Sequence, residues 1–159
     1  MTAPRGDSRP AIVLLFPELL GTYGDGGNAV ILAQRLRWRG IDCDVLTVGA
    51  GDPVPEGGTI YLLGGGEDGP QVQATRQLER SGAVHRAVEG GAVLFAVCAG
   101  MQIAGATFPG TGGRPVDGLS LLDCTTERTD EPRAVGELWA EPVGSQSSLG
   151  PLTGFENHG

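Results

Sequence analysis

The hydrophobic positions of this chain fall into short uninterrupted runs separated by polar, periodic stretches. Residues 11–16 (AIVLLF) are apolar throughout, as expected of a strand buried on both faces. Pro17 ends that run, and a glycine-rich loop, 21–27, follows. Residues 29–39 predict a helix: Ala29, Leu32, Ala33 and Leu36 recur at helical spacing, with Gln34, Arg35, Arg37 and Arg39 largely opposite. Asn28 is its expected N-cap and Gly40 its stop. Residues 42–48 (DCDVLTV) and 59–63 (TIYLL) predict two further strands, the second running straight into Gly64-Gly65-Gly66.

A helical region over 70–89 comes next, with Asp68 as cap, Pro70 in the first turn and an interruption at Gly82. Residues 92–97 (AVLFAV) predict a fourth buried strand, and 99–106 a short helix directly after Cys98. Residues 116–122 and 135–141 predict shorter, irregular strands. Residues 1–10 are polar and predict a disordered lead-in, leaving one domain over 11–159. The alternation of apolar strands and helices implies βαβ units: an α/β fold whose mostly parallel sheet carries helices on both faces. Three glycine-rich segments end strands, at 21–27, 64–66 and 98–100. In such sheets ligands bind beyond the carboxyl ends of the strands, so these segments define one candidate site.

Composition narrows the class. Of 159 residues, 40% are apolar, 19% charged and 5% aromatic, in the range of globular chains. The 28 glycines and 11 prolines cluster between apolar runs, as turns between short elements require. The net charge of −8 comes without a basic patch, so nucleic acid is not an expected partner. No apolar stretch approaches the ~18 residues of a membrane span, and residues 1–10 lack an apolar signal core. A cytoplasmic location is the expectation. The three cysteines, Cys43, Cys98 and Cys124, lack the spacing of a disulfide framework or a zinc knuckle, and no metal site is expected.

Chemistry concentrates at Ala96-Val97-Cys98-Ala99-Gly100. A nucleophile on a sharp strand-to-helix turn needs small neighbours, and Ala96, Ala99 and Gly100 supply them. The start of the following helix offers free N–H groups and a positive dipole end, which favour negative charge on sulfur. The Ala99 N–H is placed to meet an oxyanion formed on attack. Cys43 and Cys124 have no such turn and read as ordinary small buried residues. A thiol nucleophile needs a proton carrier. His85 lies among polar helical residues and reads as solvated; His158, in an expected loop of Phe155-Glu156-Asn157-His158-Gly159, is the better candidate. Gly64-Gly65-Gly66 lacks the Gly-Lys-Ser/Thr of a phosphate loop; its glycines instead allow close backbone approach to a substrate, with an N–H free to donate. Arg133, alone, reads as a surface arginine.

Together the AVCAGMQ turn, the GGGED loop and the ending GFENHG resemble class I glutamine amidotransferases of the cobyric-acid-synthase-like branch. Tyr23-Gly24-Asp25-Gly26-Gly27-Asn28 and GFENHG are similar, more narrowly, to the GatD family, the glutaminase subunits of lipid II isoglutaminyl synthase. The resemblance runs from about Ala11 to Gly159 and implies a flavodoxin-like fold, C-terminally truncated, because the family continues for several more elements. It implies that Cys98 is the nucleophile that attacks the side-chain amide of L-glutamine and that His158 shuttles the protons. It implies that Arg133 binds glutamine, and that Gly65 or Gly66 joins Ala99 in the oxyanion hole. It further implies that ammonia passes to a MurT-type ligase in a heterodimer, the ligase using ATP and Mg to amidate the D-glutamate α-carboxyl of lipid II in peptidoglycan synthesis. No cofactor is then expected in this subunit. An acid shortly after the histidine, common in class I triads, has no counterpart; Glu156 precedes His158 by two positions, and the third group is expected from the partner. Two other readings stand beside this one: an amidotransferase domain of the cobyric-acid type, and an inactive truncated scaffold that only binds the ligase.

Overall fold

The computed structural model describes residues 9–22, 24–144 and 150–158, apart from the side chain of His158. The expected lead-in over 1–10 therefore lies outside the described residues up to residue 8. Pro10 already joins the sheet, its carbonyl accepting the Asp44 N–H at 2.9 Å. The chain forms two compact units, Met1–Thr126 and Glu127–Gly159.

The first unit is built on four parallel strands: β1 (Ala11–Leu15), β2 (Asp44–Val48), β3 (Ile60–Leu63) and β4 (Val93–Ala96). Their order in space is β2-β1-β3-β4, that of a flavodoxin-like doubly wound sheet. The central strands bury both faces by alternation. Val13, Leu15, Tyr61 and Leu63 enter one core; Ile12 and Leu62 enter the other. The larger core is closed by α1 (Pro17–Leu20), α3 (Asp68–Ser81), α4 (Ala83–Glu89) and α5 (Ala99–Ala104), through Leu20, Leu78, Val84 and Ile103 among others. The smaller is closed by α2 (Gly26–Arg37) through Ala29 and Ala33.

Several local expectations are revised. Pro17 does not merely end β1; it opens the single-turn α1, where a missing N–H costs nothing. α2 begins at Gly26, three residues before the predicted start, with Asp25 rather than Asn28 at its N-cap. The interruption expected at Gly82 within 70–89 is found: Gly82 takes φ 60°, a left-handed value that ends α3 and opens α4. The outer strands β2 and β4 are not buried on both faces: Val45, Leu46, Val93 and Phe95 are exposed. Register puts Val93 and Phe95 on the side of Ile60 and Leu62, where α2 lies over β1 and β2. Continuous apolar runs are thus shared by central and edge strands, and sequence alone does not separate them.

Beyond α5, only residues 116 and 117 of the strand predicted over 116–122 are in a strand, within β6 (Pro115–Asp117), which pairs antiparallel with β5 (Thr107–Pro109). The following residues are held by backbone bonds to α5's end: Leu119 N–H to Ile103 O at 2.7 Å and Gly118 N–H to Ala106 O at 2.8 Å. His85 is not simply solvated; its Nε2 lies 2.6 Å from Leu119 O, tying α4 to this segment. The second unit is an antiparallel pair, β7 (Ala134–Ala140) with β8 (Leu152–His158). Of the loop expected over 155–159, residues 155–158 belong instead to the strand β8, and residue 159 lies outside the described residues. Among the described residues no helix is long and apolar enough to cross a membrane.

Candidate active site

The carboxyl edge of the sheet gathers the segments after β1, β3 and β4. The parallel ladder between β3 and β4 ends where Val97 N–H donates to Leu63 O at 2.9 Å. The next residue, Cys98, takes φ 55° and ψ −119°. Such a backbone is disfavoured for a side-chain-bearing residue and costs on the order of 1–3 kcal/mol. It reverses the chain in one residue, so that α5 starts at Ala99. Gly100 N–H closes the turn onto Val97 O at 2.9 Å, and Met101 N–H returns to Cys98 O at 2.9 Å.

The small neighbours are required by contact. A Cβ on Gly100 would stand 2.5 Å from Leu63 O, against backbone that cannot retreat. Ala99 is buried, and its N–H has no acceptor among the described residues. It is a donor left open, among the described residues, on the residue that follows Cys98. Cys98 itself is exposed, as a reacting group must be. Cys43, just outside β2, is half-buried and packs against the smaller core, whereas Cys124 is exposed and is not the buried packing residue expected of it. α5 has only six residues, so the expected dipole is modest; the free Ala99 N–H is the more concrete feature.

The loop after β3 is packed as tightly. A Cβ on Gly64 would meet Leu20 O at 2.0 Å, and one on Gly66 would meet Leu19 O at 2.5 Å. Gly65 N–H donates to the Asp25 carboxylate at 2.8 Å. Gly66 N–H makes no hydrogen bond among the described residues. Of the two amides expected near an oxyanion, Gly65 is thus occupied and Gly66 is available.

Behind the turn, Gln71 of α3 is almost wholly buried, and its Nε2 donates to Gln102 Oε1 at 2.9 Å and to Ala99 O at 3.4 Å. It fastens α5 to α3. Gln71 carried no signal in the sequence, since one buried amide among surface-type residues has no periodic signature; Gln102 closes the AVCAGMQ motif but had no assigned role. Asp25 belonged to a noted motif but had no assigned role.

In the second unit, Arg133 precedes β7 and directs Nε to Asn157 Oδ1 at 2.8 Å and Nη2 to Asn157 O at 3.4 Å. Backbone pairing sets Ala134 opposite His158. Arg133 and His158 are therefore near neighbours at one end of this hairpin. At its other end a depression of about 630 Å³ is lined by Glu137, Leu138, Trp139, Thr153, Gly154 and Phe155. The structure thus groups Cys98, Ala99, Gly65 and Gly66 in one unit and Arg133 with His158 in the other.

A doubly wound sheet with a strained cysteine on the turn between a strand and a helix points to a class of protein that similarity to known sequences identifies. Residues 11–159 match the CobB/CobQ-like glutamine amidotransferase domain, and the chain belongs to that family. It is 31% identical over 144 residues to the subunit GatD of lipid II isoglutaminyl synthase (glutamine-hydrolyzing) from Staphylococcus aureus (strain N315), over 89% of this chain and 57% of that protein. The GatD subunit from Streptococcus pneumoniae (strain ATCC BAA-255 / R6) is 26% identical over 92% of this chain and 56% of its own length. Hydrogenobyrinate a,c-diamide synthase from Rhizobium meliloti (strain 1021) is 29% identical over 67% of this chain and 25% of its own. The chain spans little more than half the length of the two GatD relatives.

Proposed function

We propose that this chain hydrolyses L-glutamine to glutamate and ammonia, and that the ammonia is passed to a MurT-type ligase that amidates lipid II. The observation that carries the reading is Cys98, held at φ 55° on the turn between a parallel strand and a helix, in a chain of the amidotransferase family. In this reading the Cys98 sulfur attacks the side-chain amide carbon of glutamine. The carbonyl π electrons move onto oxygen, and the Ala99 and Gly66 N–H groups stabilise that oxyanion. His158 takes the thiol proton and delivers it to the departing ammonia, leaving a thioester. Water, activated by the same histidine, attacks the thioester; glutamate leaves and the thiol is restored. Arg133 supplies a guanidinium suited to the α-carboxylate of the substrate, and its bond to Asn157 fixes the side chain beside His158's strand.

The GatD relatives favour lipid II as the acceptor, the first at the higher identity and both matched over more than half their length. The diamide synthase favours a second reading, a corrinoid carboxylate as acceptor. Ammonia release from glutamine is measured with and without the ligase subunit, followed by transfer to lipid II or to a corrinoid acid. The expected result is release by wild type, none by Cys98→Ala, and transfer to lipid II only. Equal ammonia levels from wild type and Cys98→Ala in the presence of the ligase would sink the enzymatic reading and leave a scaffold. Transfer to the corrinoid alone would replace the acceptor.

A further inference from the structure

The loop after β1 meets the loop after β3 at the place where the strand connections diverge, β1 leading outward to β2 and β3 to β4. In doubly wound sheets this crevice holds the ligand. Asp25 stands at that crossing. It occupies the N-cap of α2, where an aspartate ordinarily accepts a hydrogen bond from an amide of its own helix. Here it makes no side-chain cap bond. Its carboxylate instead reaches a residue forty positions away and accepts the Gly65 N–H at 2.8 Å. α2 thereby gives up a cap bond so that the glycine loop is fixed.

The contact orients a peptide plane. Gly64 is wedged where its Cα faces Leu20 O and the Asp25 side chain, at distances no Cβ would survive. With Gly65 N–H held by Asp25, the 64–65 peptide cannot rotate without losing a charged hydrogen bond. The next peptide then carries the Gly66 N–H, which makes no hydrogen bond among the described residues. The Cys98 turn is packed on the same strand end: Gly100 lies against Leu63 O, one residue before Gly64. We propose that Asp25 is a positioning residue that selects Gly66 N–H as the loop's oxyanion donor by holding Gly65 N–H out of the site. The inference rests on the glutamine-hydrolysing reading. In this reading Asp25 acts through Gly65 and not on the substrate; its negative charge would oppose an oxyanion, so its use is geometric.

The test compares Asp25→Ala with Asp25→Asn in the protein assembled with its ligase subunit. Asn keeps an oxygen that can accept the Gly65 N–H and removes the charge. Ala should lower kcat for glutamine hydrolysis by about 10–100-fold with KM within about two-fold, less than or equal to full loss of a donor. Asn should recover activity to within a few-fold of wild type. Alkylation of Cys98 by iodoacetamide, a displacement that forms no oxyanion, should proceed at the wild-type rate in both. The idea is overturned if Ala matches wild type, if Ala and Asn are equally impaired, if only KM moves, or if alkylation falls in parallel with hydrolysis. The clamp is also read without activity: amide exchange at Gly65 should quicken in Asp25→Ala and not in Asp25→Asn, and unchanged exchange in Ala removes it. Absence of ammonia release by wild type, with Gly65 exchange behaving as expected, counts against the glutaminase reading and leaves the clamp standing.

Discussion

At Cys98 the usual ranking of alanine over glycine should invert. In an ordinary backbone, glycine is less stable than alanine by about 0.5–1 kcal/mol, because the unfolded chain gains freedom. Cys98 sits at φ 55° and ψ −119°, where any Cβ is crowded by the neighbouring backbone. That strain is on the order of 1–3 kcal/mol and vanishes only in glycine. The residue is exposed, so side-chain burial contributes little to the comparison. The balance favours Cys98→Gly over Cys98→Ala by about 1 kcal/mol, taking the middle of each range. For a chain of this size that is a difference of about 2–4 °C in Tm. Both variants lack the thiol, so activity does not confuse the measurement. Thermal and urea unfolding of the two proteins side by side is the assay. If Cys98→Gly is less stable than Cys98→Ala by the ordinary margin, the cysteine is not held in a strained turn, and the structural case for a nucleophile here collapses.

Gly100→Ala should be damaging for a different reason: its Cβ would stand 2.5 Å from Leu63 O. Overpacking against fixed backbone should cost about 1–3 kcal/mol, seen as a lower urea midpoint, and displacement of α5 should remove most glutaminase activity; a midpoint like wild type refutes the contact. Tyr61 is fully buried, and its hydroxyl accepts the Gly58 N–H at 3.0 Å and donates to Pro55 O. Tyr61→Phe should lose about 1–3 kcal/mol by leaving those groups unpaired. Burial, the largest cause, holds the Tyr61 hydroxyl above its usual pKa, partly offset by the Gly58 hydrogen bond and reinforced by Glu56. A raised pKa gives stability that is present below the ordinary tyrosine value and lost as pH rises through the folded value. The stability of wild type should therefore fall across that alkaline window, and Tyr61→Phe should lack that part of the fall; identical alkaline limbs would remove tyrosine ionisation as the cause.

Much of this protein was legible in its residues. The apolar runs at 11–16 and 59–63 located the two central strands, and the small residues around Cys98 located the turn, because both depend on local sterics and on period. The motifs also named the amidotransferase family, since the order of short sequences at strand ends is itself a linear property. Three things required tertiary structure. The run at 92–97 looks as apolar as the central strands, and only its place at the end of the strand order exposes Val93 and Phe95. His158 read as a loop residue until Ala134, twenty-four positions earlier, proved to be its strand partner. Asp25 read as a turn residue, yet its carboxylate holds an amide forty positions on. Local pattern records what a residue prefers, whereas these outcomes depend on which distant segment arrives beside it. That is a matter of chain topology, and it decided that the Gly65 amide is taken up by Asp25.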